Sequence, residues 1–135
     1  MIGLVTNILV RYLAQDDAKQ SAIVTKLIEE KYDKEGYCFI NHIVLCELVW
    51  VLQRAYKVNK KQIIEIIEQL LHTSQFTCQS PDIIWIALKN YKKGSADFAD
   101  YMTSAININQ GCEHTLSFDK KTLKSGDFAS PSPVF

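Results

Sequence analysis

The chain has 135 residues, 47% of them apolar, which is enough to give one domain spanning 1–135 a core of its own rather than a disordered tail. Fifteen basic residues balance fifteen acidic ones, and a zero formal charge excludes a protein held on nucleic acid by bulk electrostatics alone, leaving only a local basic patch open. The longest uncharged apolar stretch, Cys38 to Cys46, is far too short to span a bilayer and contains Asn41 and His42, so the expectation is a soluble, cytoplasmic protein with no membrane partner.

Ile2 to Val5 are apolar, partly β-branched and followed at once by Thr6-Asn7, which predicts a central strand buried on both faces and running into a polar elbow. Asp16-Asp17 offers a helix start, and Ala22, Ile23, Leu27 and Ile28 supply the apolar stripe of a helix reaching about Lys31. Tyr37 to Ile40 reads as a second strand. From Ile43 to Tyr56 the period changes, and Val44, Leu45, Leu48, Val49, Val51 and Leu52 predict a helix that is apolar around most of its girth and largely buried. A further helix follows Val58-Asn59, with Ile63, Ile66, Ile67, Leu70 and Leu71 on one face. Phe76 to Cys78 is a brief strand, Ser80-Pro81-Asp82 opens a helix to Tyr91, and Lys92-Lys93-Gly94-Ser95 breaks it. Asp97 to Gln110 is helical, with Gly111 as its left-handed cap. His114 to Phe118 is the next strand, with Asp119 at its end, and Val134-Phe135 offers a last edge pairing.

Alternation of strands and helices implies an α/β fold, a three-layer α/β/α sandwich about a central, mainly parallel sheet of about four to five strands. Ligand sites in such sheets lie at the carboxyl ends of the strands, where the Thr6-Asn7 elbow and Asp119 both fall. No glycine-rich phosphate signature follows any strand. Cys38, Cys46, Cys78 and Cys112 contain no CxxC pair and read as small hydrophobes in a reducing cytosol. Trp50, Trp85, Tyr56 and Tyr91 default to core packing, with an interface role for some of them left open, and the isolated His42, His72 and His114 carry no catalytic assignment.

Four carboxylates draw notice: Glu47 on the most apolar helix, Asp97 and Asp100 three apart on one helix face, and Asp119 at a strand end. Acids clustered in a cleft repel each other and take up protons unless a divalent cation neutralises them; magnesium or manganese suits an all-oxygen set. Each acid also has an ordinary explanation. Glu47 can reach solvent or pair with Arg54 or Lys57, Asp97 can cap the helix that follows Ser95-Ala96, and Asp119 before Lys120-Lys121 can be a solvated turn.

Taken together, Met1-Ile2-Gly3-Leu4-x-Thr6-Asn7-Ile8-Leu9-Val10-Arg11-Tyr12-Leu13, Glu47-Leu48-Val49-Trp50-Val51-Leu52, Ala96-Asp97-Phe98-Ala99-Asp100 and Thr115-Leu116-Ser117-Phe118-Asp119 resemble the PIN-domain family, and within it the VapC-type toxin ribonucleases of toxin–antitoxin pairs. The resemblance covers nearly the whole chain. It implies a magnesium-dependent endoribonuclease that cuts RNA, is silenced by a cognate antitoxin and forms a homodimer. It also implies metal ligands at Glu47, Asp100 and Asp119, with Asp97 as an additional ligand or water-positioning group, and supporting hydrogen bonds from Thr6, Asn7 and Ser117.

Position 5 departs from the pattern. The family carries aspartate there as a principal metal ligand, and this chain has Val5, which supplies no oxygen. Magnesium tolerates little departure from octahedral oxygen coordination, so the expectation is weakened metal binding and an inactive or nearly inactive copy. An inactivating substitution is preferred over a natural paralogue kept for binding, because the other acids are all present. Lys92 and Lys93 precede the third acidic motif and Lys120, Lys121 and Lys124 follow the fourth, and they are either phosphate contacts or solvated loop lysines. Two other readings stand beside the nuclease: a non-catalytic PIN-like module that binds antitoxin or RNA without cleavage, and a metal-dependent phosphatase or DNA nuclease.

Overall fold

A computed structural model describes residues 1–131, so the pairing expected of Val134-Phe135 lies outside the described residues. The chain forms two compact units, Met1–Gln79 and Ser80–Phe135.

In the first unit, β1 (Ile2–Gly3), β2 (Cys38–Ile40) and β3 (Phe76–Cys78) form a parallel sheet in the order β1-β2-β3, with Ile2 opposite Cys38 and Ile40 opposite Cys78. Four helices surround these strands in sequence: α1 (Thr6–Ala14), α2 (Ala18–Lys26, prolonged by a wider turn over Leu27–Lys31), α3 (His42–Ala55) and α4 (Lys60–His72). Parallel pairing follows from the crossovers, because a helix between two strands returns the chain to the same edge. Cys38 and Ile40 are fully buried, which makes β2 the middle strand of this sheet and the core of the unit.

Two readings of the N-terminal stretch are corrected. The first strand ends at Gly3, with Leu4 still donating to the Phe39 carbonyl (3.0 Å), and Val5 is 64% exposed instead of buried on both faces. The Thr6-Asn7 elbow is the first turn of α1. Thr, Asn, Ile and Val are poor helix formers, but Leu9 and Val10 are buried where α1 packs on α2 and α3, and that burial outweighs propensity. Arg11 ties the helix down: it donates to Gln20 (2.7 Å) and pairs with Asp16 (3.3 Å), whose other oxygen accepts from the Tyr56 hydroxyl at 2.7 Å. That hydroxyl, ahead of Arg11, holds the Asp16 carboxyl below its ordinary value.

The stripe of α2 holds only in its second half. Ile28 is buried and Leu27 half-buried as expected, but Ala22 and Ile23 (53%) are exposed, and Ser21 and Val24 face inward in their place. The Asp17 side chain caps the helix through Gln20 N–H (2.9 Å), and from that start the inward positions are Ser21, Val24 and Ile28, three and four apart. Helix α3, capped by Asn41, buries Val44, Leu45, Leu48, Val49 and Leu52. Its opposite face is open instead of largely buried: Ile43 is 71% and Trp50 58% exposed, with the Arg54 guanidinium over the Trp50 ring at 5.3 Å. Trp50 is therefore not a core residue. Asn59 and Gln62 form a capping box at the start of α4.

The second unit contains α5 (Pro81–Lys93), α6 (Phe98–Asn109), β4 (Thr115–Leu116) and β5 (Phe128–Ala129). The two helices pack through Tyr91, whose ring meets Phe98 edge-on (5.6 Å) and lies 6.1 Å from Tyr101. Gly111, at φ +103, ends α6; its N–H reaches the Ile108 carbonyl and Cys112 N–H the Asn107 carbonyl, a Schellman pattern. β4 and β5 pair in parallel, so every strand pairing among the described residues is parallel. The sequence shows no sign of β5 as a strand, because two residues carry no period.

Among the described residues no helix is long and apolar enough to cross a membrane. All four cysteines are free thiols; burial pushes Cys46 and Cys78 up to about 11, and Cys112 is exposed.

Candidate functional site

The first unit carries Val5, Thr6, Asn7 and Glu47. Val5 occupies the N-cap of α1, with extended backbone (φ −94, ψ 164) and no side chain able to accept from the first-turn amides. Thr6, the first helical residue, donates its hydroxyl to Glu47 Oε1 across 3.2 Å. Glu47 sits on the open face of α3 and is exposed; its recorded partner is Thr6, and neither Arg54 nor Lys57 pairs with it among the described residues. Asn7 is exposed, with no side-chain hydrogen bond among the described residues.

The second unit carries Asp97, Asp100, Ser117 and Asp119. Asp97 holds the N-cap of α6, and Asp100, one turn on, reaches back so that its Oδ2 accepts from Asp97 N–H (3.2 Å). That is the return arm of a capping box, made here by aspartate. Half-buried Asp100 has its carboxyl pushed above the ordinary value, first by burial and then by the charges of Asp97 and Asp119, with the Asp97 N–H bond working the other way. The charge of Asp119 thus bears on Asp100 together with that of Asp97, although Asp119 and Asp100 lie 19 positions apart in the chain.

The turn at Asp119 is tied from both sides. Its N–H donates to Ser117 Oγ (3.0 Å), and its Oδ1 accepts from Lys121 N–H (2.9 Å). The Thr122 hydroxyl, 1% exposed, donates to the Asp119 carbonyl (2.7 Å) and lies 2.8 Å from Ser117 Oγ. Sequence reasoning missed Thr122; the signal was a threonine three positions after an aspartate, a spacing common to many surface turns. Lys93 and Lys121 line one cavity of this unit, whereas Lys92 and Lys120 are exposed and do not.

Val5 brings no oxygen, and among the described residues no three His, Cys, Asp or Glu side chains gather closely enough to hold a metal ion.

The PIN domain family model matches residues 2–128. The chain belongs to the PIN-domain family. This PIN domain is also 28% identical over 121 residues to a VapC ribonuclease of Aquifex aeolicus (strain VF5), an alignment covering 90% of this chain and 89% of the relative. The match runs through both units, and the strand-and-helix alternation with parallel pairing is the α/β fold of a PIN domain. Thr6, Glu47, Asp97, Asp100 and Asp119 all fall within the matched residues, as does Val5.

Proposed function

We propose that this PIN domain is the toxin half of a toxin–antitoxin pair: a cytoplasmic, homodimeric endoribonuclease scaffold whose cleavage is disabled at Val5, and which a cognate antitoxin binds. The observation that carries the nuclease part is the 28% identity to a VapC ribonuclease across 90% of the chain. The disabling rests on chemistry. Phosphodiester hydrolysis at an acidic site draws on a cation that neutralises phosphate and activates water. Glu47, Asp97, Asp100 and Asp119 are the oxygens this reading assigns to magnesium or manganese, with Thr6, Asn7 and Ser117 in support. An alkyl side chain at position 5 removes an oxygen ligand from that set.

What the chain's own groups do is hold geometry and charge. Thr6 orients Glu47, the Asp97–Asp100 return bond fixes the Asp100 rotamer, and the Ser117–Thr122 pair fixes Asp119. With Asp100 raised, this cluster is predisposed to accept positive charge.

Cleavage of a structured RNA pool with millimolar Mg²⁺, by purified Val5→Asp and by the chain as written, tests the reading. Cleavage by Val5→Asp that vanishes in Val5→Asp/Asp100→Asn supports it; identical inactivity of all forms overturns it. Val5, which offers no oxygen at the N-cap of α1, favours one second reading, a PIN module that binds antitoxin or RNA without cutting. Tight RNA or antitoxin binding by a Val5→Asp form that still does not cut identifies that case.

A further inference from the structure

In the second unit, the end of α5, the Gly94-Ser95 link and the helical turn after Asp119 line a cavity of about 500 Å³. Lys93, Lys121 and Lys124 enter it from two segments, and Asp127 is the one carboxylate on its wall, so three cations against one anion leave a formal charge of +2. Among the described residues, none of the three ammonium groups makes an ion pair or a side-chain hydrogen bond. Gathered cations raise each other's energy, and an anionic ligand removes that cost.

The neutral groups on the wall point to the same ligand. Ser95 and Ser125 bring hydroxyls. Tyr101, 3% exposed, already accepts Ala96 N–H at its oxygen (3.1 Å), so its proton is the group it has left to offer. A volume of about 500 Å³ exceeds a bare phosphate and lies in the range of pockets that hold a small organic ligand. With no P-loop or other glycine-rich phosphate signature after any strand, it lacks the cradle of a nucleoside triphosphate site. Lysines act as point charges that read phosphate without reading base. The same two segments carry acids: Ser95 stands two residues before Asp97, and Lys121 N–H donates to Asp119 Oδ1.

We infer that this cavity seats a phosphodiester of single-stranded RNA, with its attached nucleoside, next along the chain from Asp97 and Asp119. The inference rests on the ribonuclease reading and names its substrate contact. It predicts how RNA binding depends on charge and salt.

Fluorescence anisotropy of a labelled, mixed-sequence single-stranded RNA, titrated with the full chain in EDTA over a salt series, provides the test. Lys93→Ala/Lys121→Ala/Lys124→Ala is expected to bind roughly tenfold or more weakly, with the salt slope smaller by about 0.7 for each phosphate no longer neutralised. Equal affinity and slope for variant and wild type overturns the cavity assignment and leaves the family reading standing. A wild type that binds no RNA overturns both. Displacement of the RNA by adenosine monophosphate at equal concentration assigns the cavity to free nucleotides, and displacement by an acidic peptide assigns it to a protein partner; either overturns the RNA assignment. Thermal melting checks that the triple variant is folded, and the single exposed change Lys124→Gln, expected to weaken binding in the same direction, repeats the test.

Discussion

Thr6 and Glu47 lie 41 positions apart in the chain, and the hydroxyl of one donates to the carboxylate of the other across 3.2 Å. The bond fastens the first turn of α1 to the open face of α3. Both side chains are accessible to water, so it is worth little to stability: Thr6→Val should cost about 0.5–1 kcal/mol in urea unfolding. A double-mutant cycle with Glu47→Gln should return a coupling no larger than that. A coupling near zero would mean that Thr6 does not hold Glu47 in solution.

Position 5 is the N-cap of α1, and on the proposed reading it is also where the first metal-ligand acid is missing. Val5→Asp and Val5→Ser should each stabilise the chain by about 1 kcal/mol at neutral pH through a first-turn amide. The aspartate's gain has a pH dependence the serine's lacks. An amide hydrogen bond lowers the folded carboxyl pKa, so the gain is present above the unfolded value and is lost as pH falls through the folded one. Millimolar Mg²⁺ should raise the melting temperature of Val5→Asp and leave Val5→Ser unmoved. Equal responses of the two variants to the metal would break the link between position 5 and a cation.

For Asp100 the sign runs the other way. Its folded carboxyl is raised by burial and by Asp97 and Asp119, so the folded state binds its proton more tightly than the unfolded chain does. Its favourable contribution is present below the ordinary carboxylate value and is lost as pH rises through the raised one. Asp100→Asn keeps an oxygen for Asp97 N–H and drops the charge. It should therefore be more stable than wild type at pH 7, with the advantage fading toward pH 3. Chemical unfolding of both proteins at several pH values reads this directly, and an advantage that grows as pH falls would contradict it.

Gly94 owes its identity to a neighbour. A Cβ there would run into the Tyr101 hydroxyl and stand 3.1 Å from the Asn90 carbonyl, while the backbone itself (φ −102) suits any residue. Because Tyr101 is buried and its oxygen serves Ala96 N–H, the ring does not swing aside freely. Gly94→Ala should cost about 1–3 kcal/mol. Gly94→Ala/Tyr101→Phe should cost less than the sum of the two single changes, because the clash and the lost hydrogen bond involve the same oxygen. Strict additivity would show that the two residues do not touch.

Period and punctuation made much of the fold legible. Val44 to Leu52 and Ile63 to Leu70 announce α3 and α4, Pro81 opens α5, and Gly111 closes α6, since each uses a backbone property that acts over a few residues. α1 was hidden because its Thr, Asn, Ile and Val residues favour other conformations and only packing against α2 and α3 makes them helical. In α2 the pattern locates Ile28 but not the first turns, where Ser21 does not read as core and one position turns a helix by about 100°, enough to put Ala22 and Ile23 on the open face. Trp50 escapes the pattern for a different reason: a large aromatic on an apolar helix reads as buried, and only the neighbouring elements decide that its face stays open.

The amino-acid order alone determined which oxygens exist and which is absent: Glu47, Asp97, Asp100 and Asp119 are present, and Val5 offers none. Tertiary structure decided what those oxygens experience. It placed Val5 at a helix cap, brought the Thr6 hydroxyl to Glu47, let the charge of Asp119 reach Asp100 and turned three lysines into one cavity. Composition sets how many charges a chain carries; their energies depend on distance and burial, which arise only once residues far apart in the chain meet.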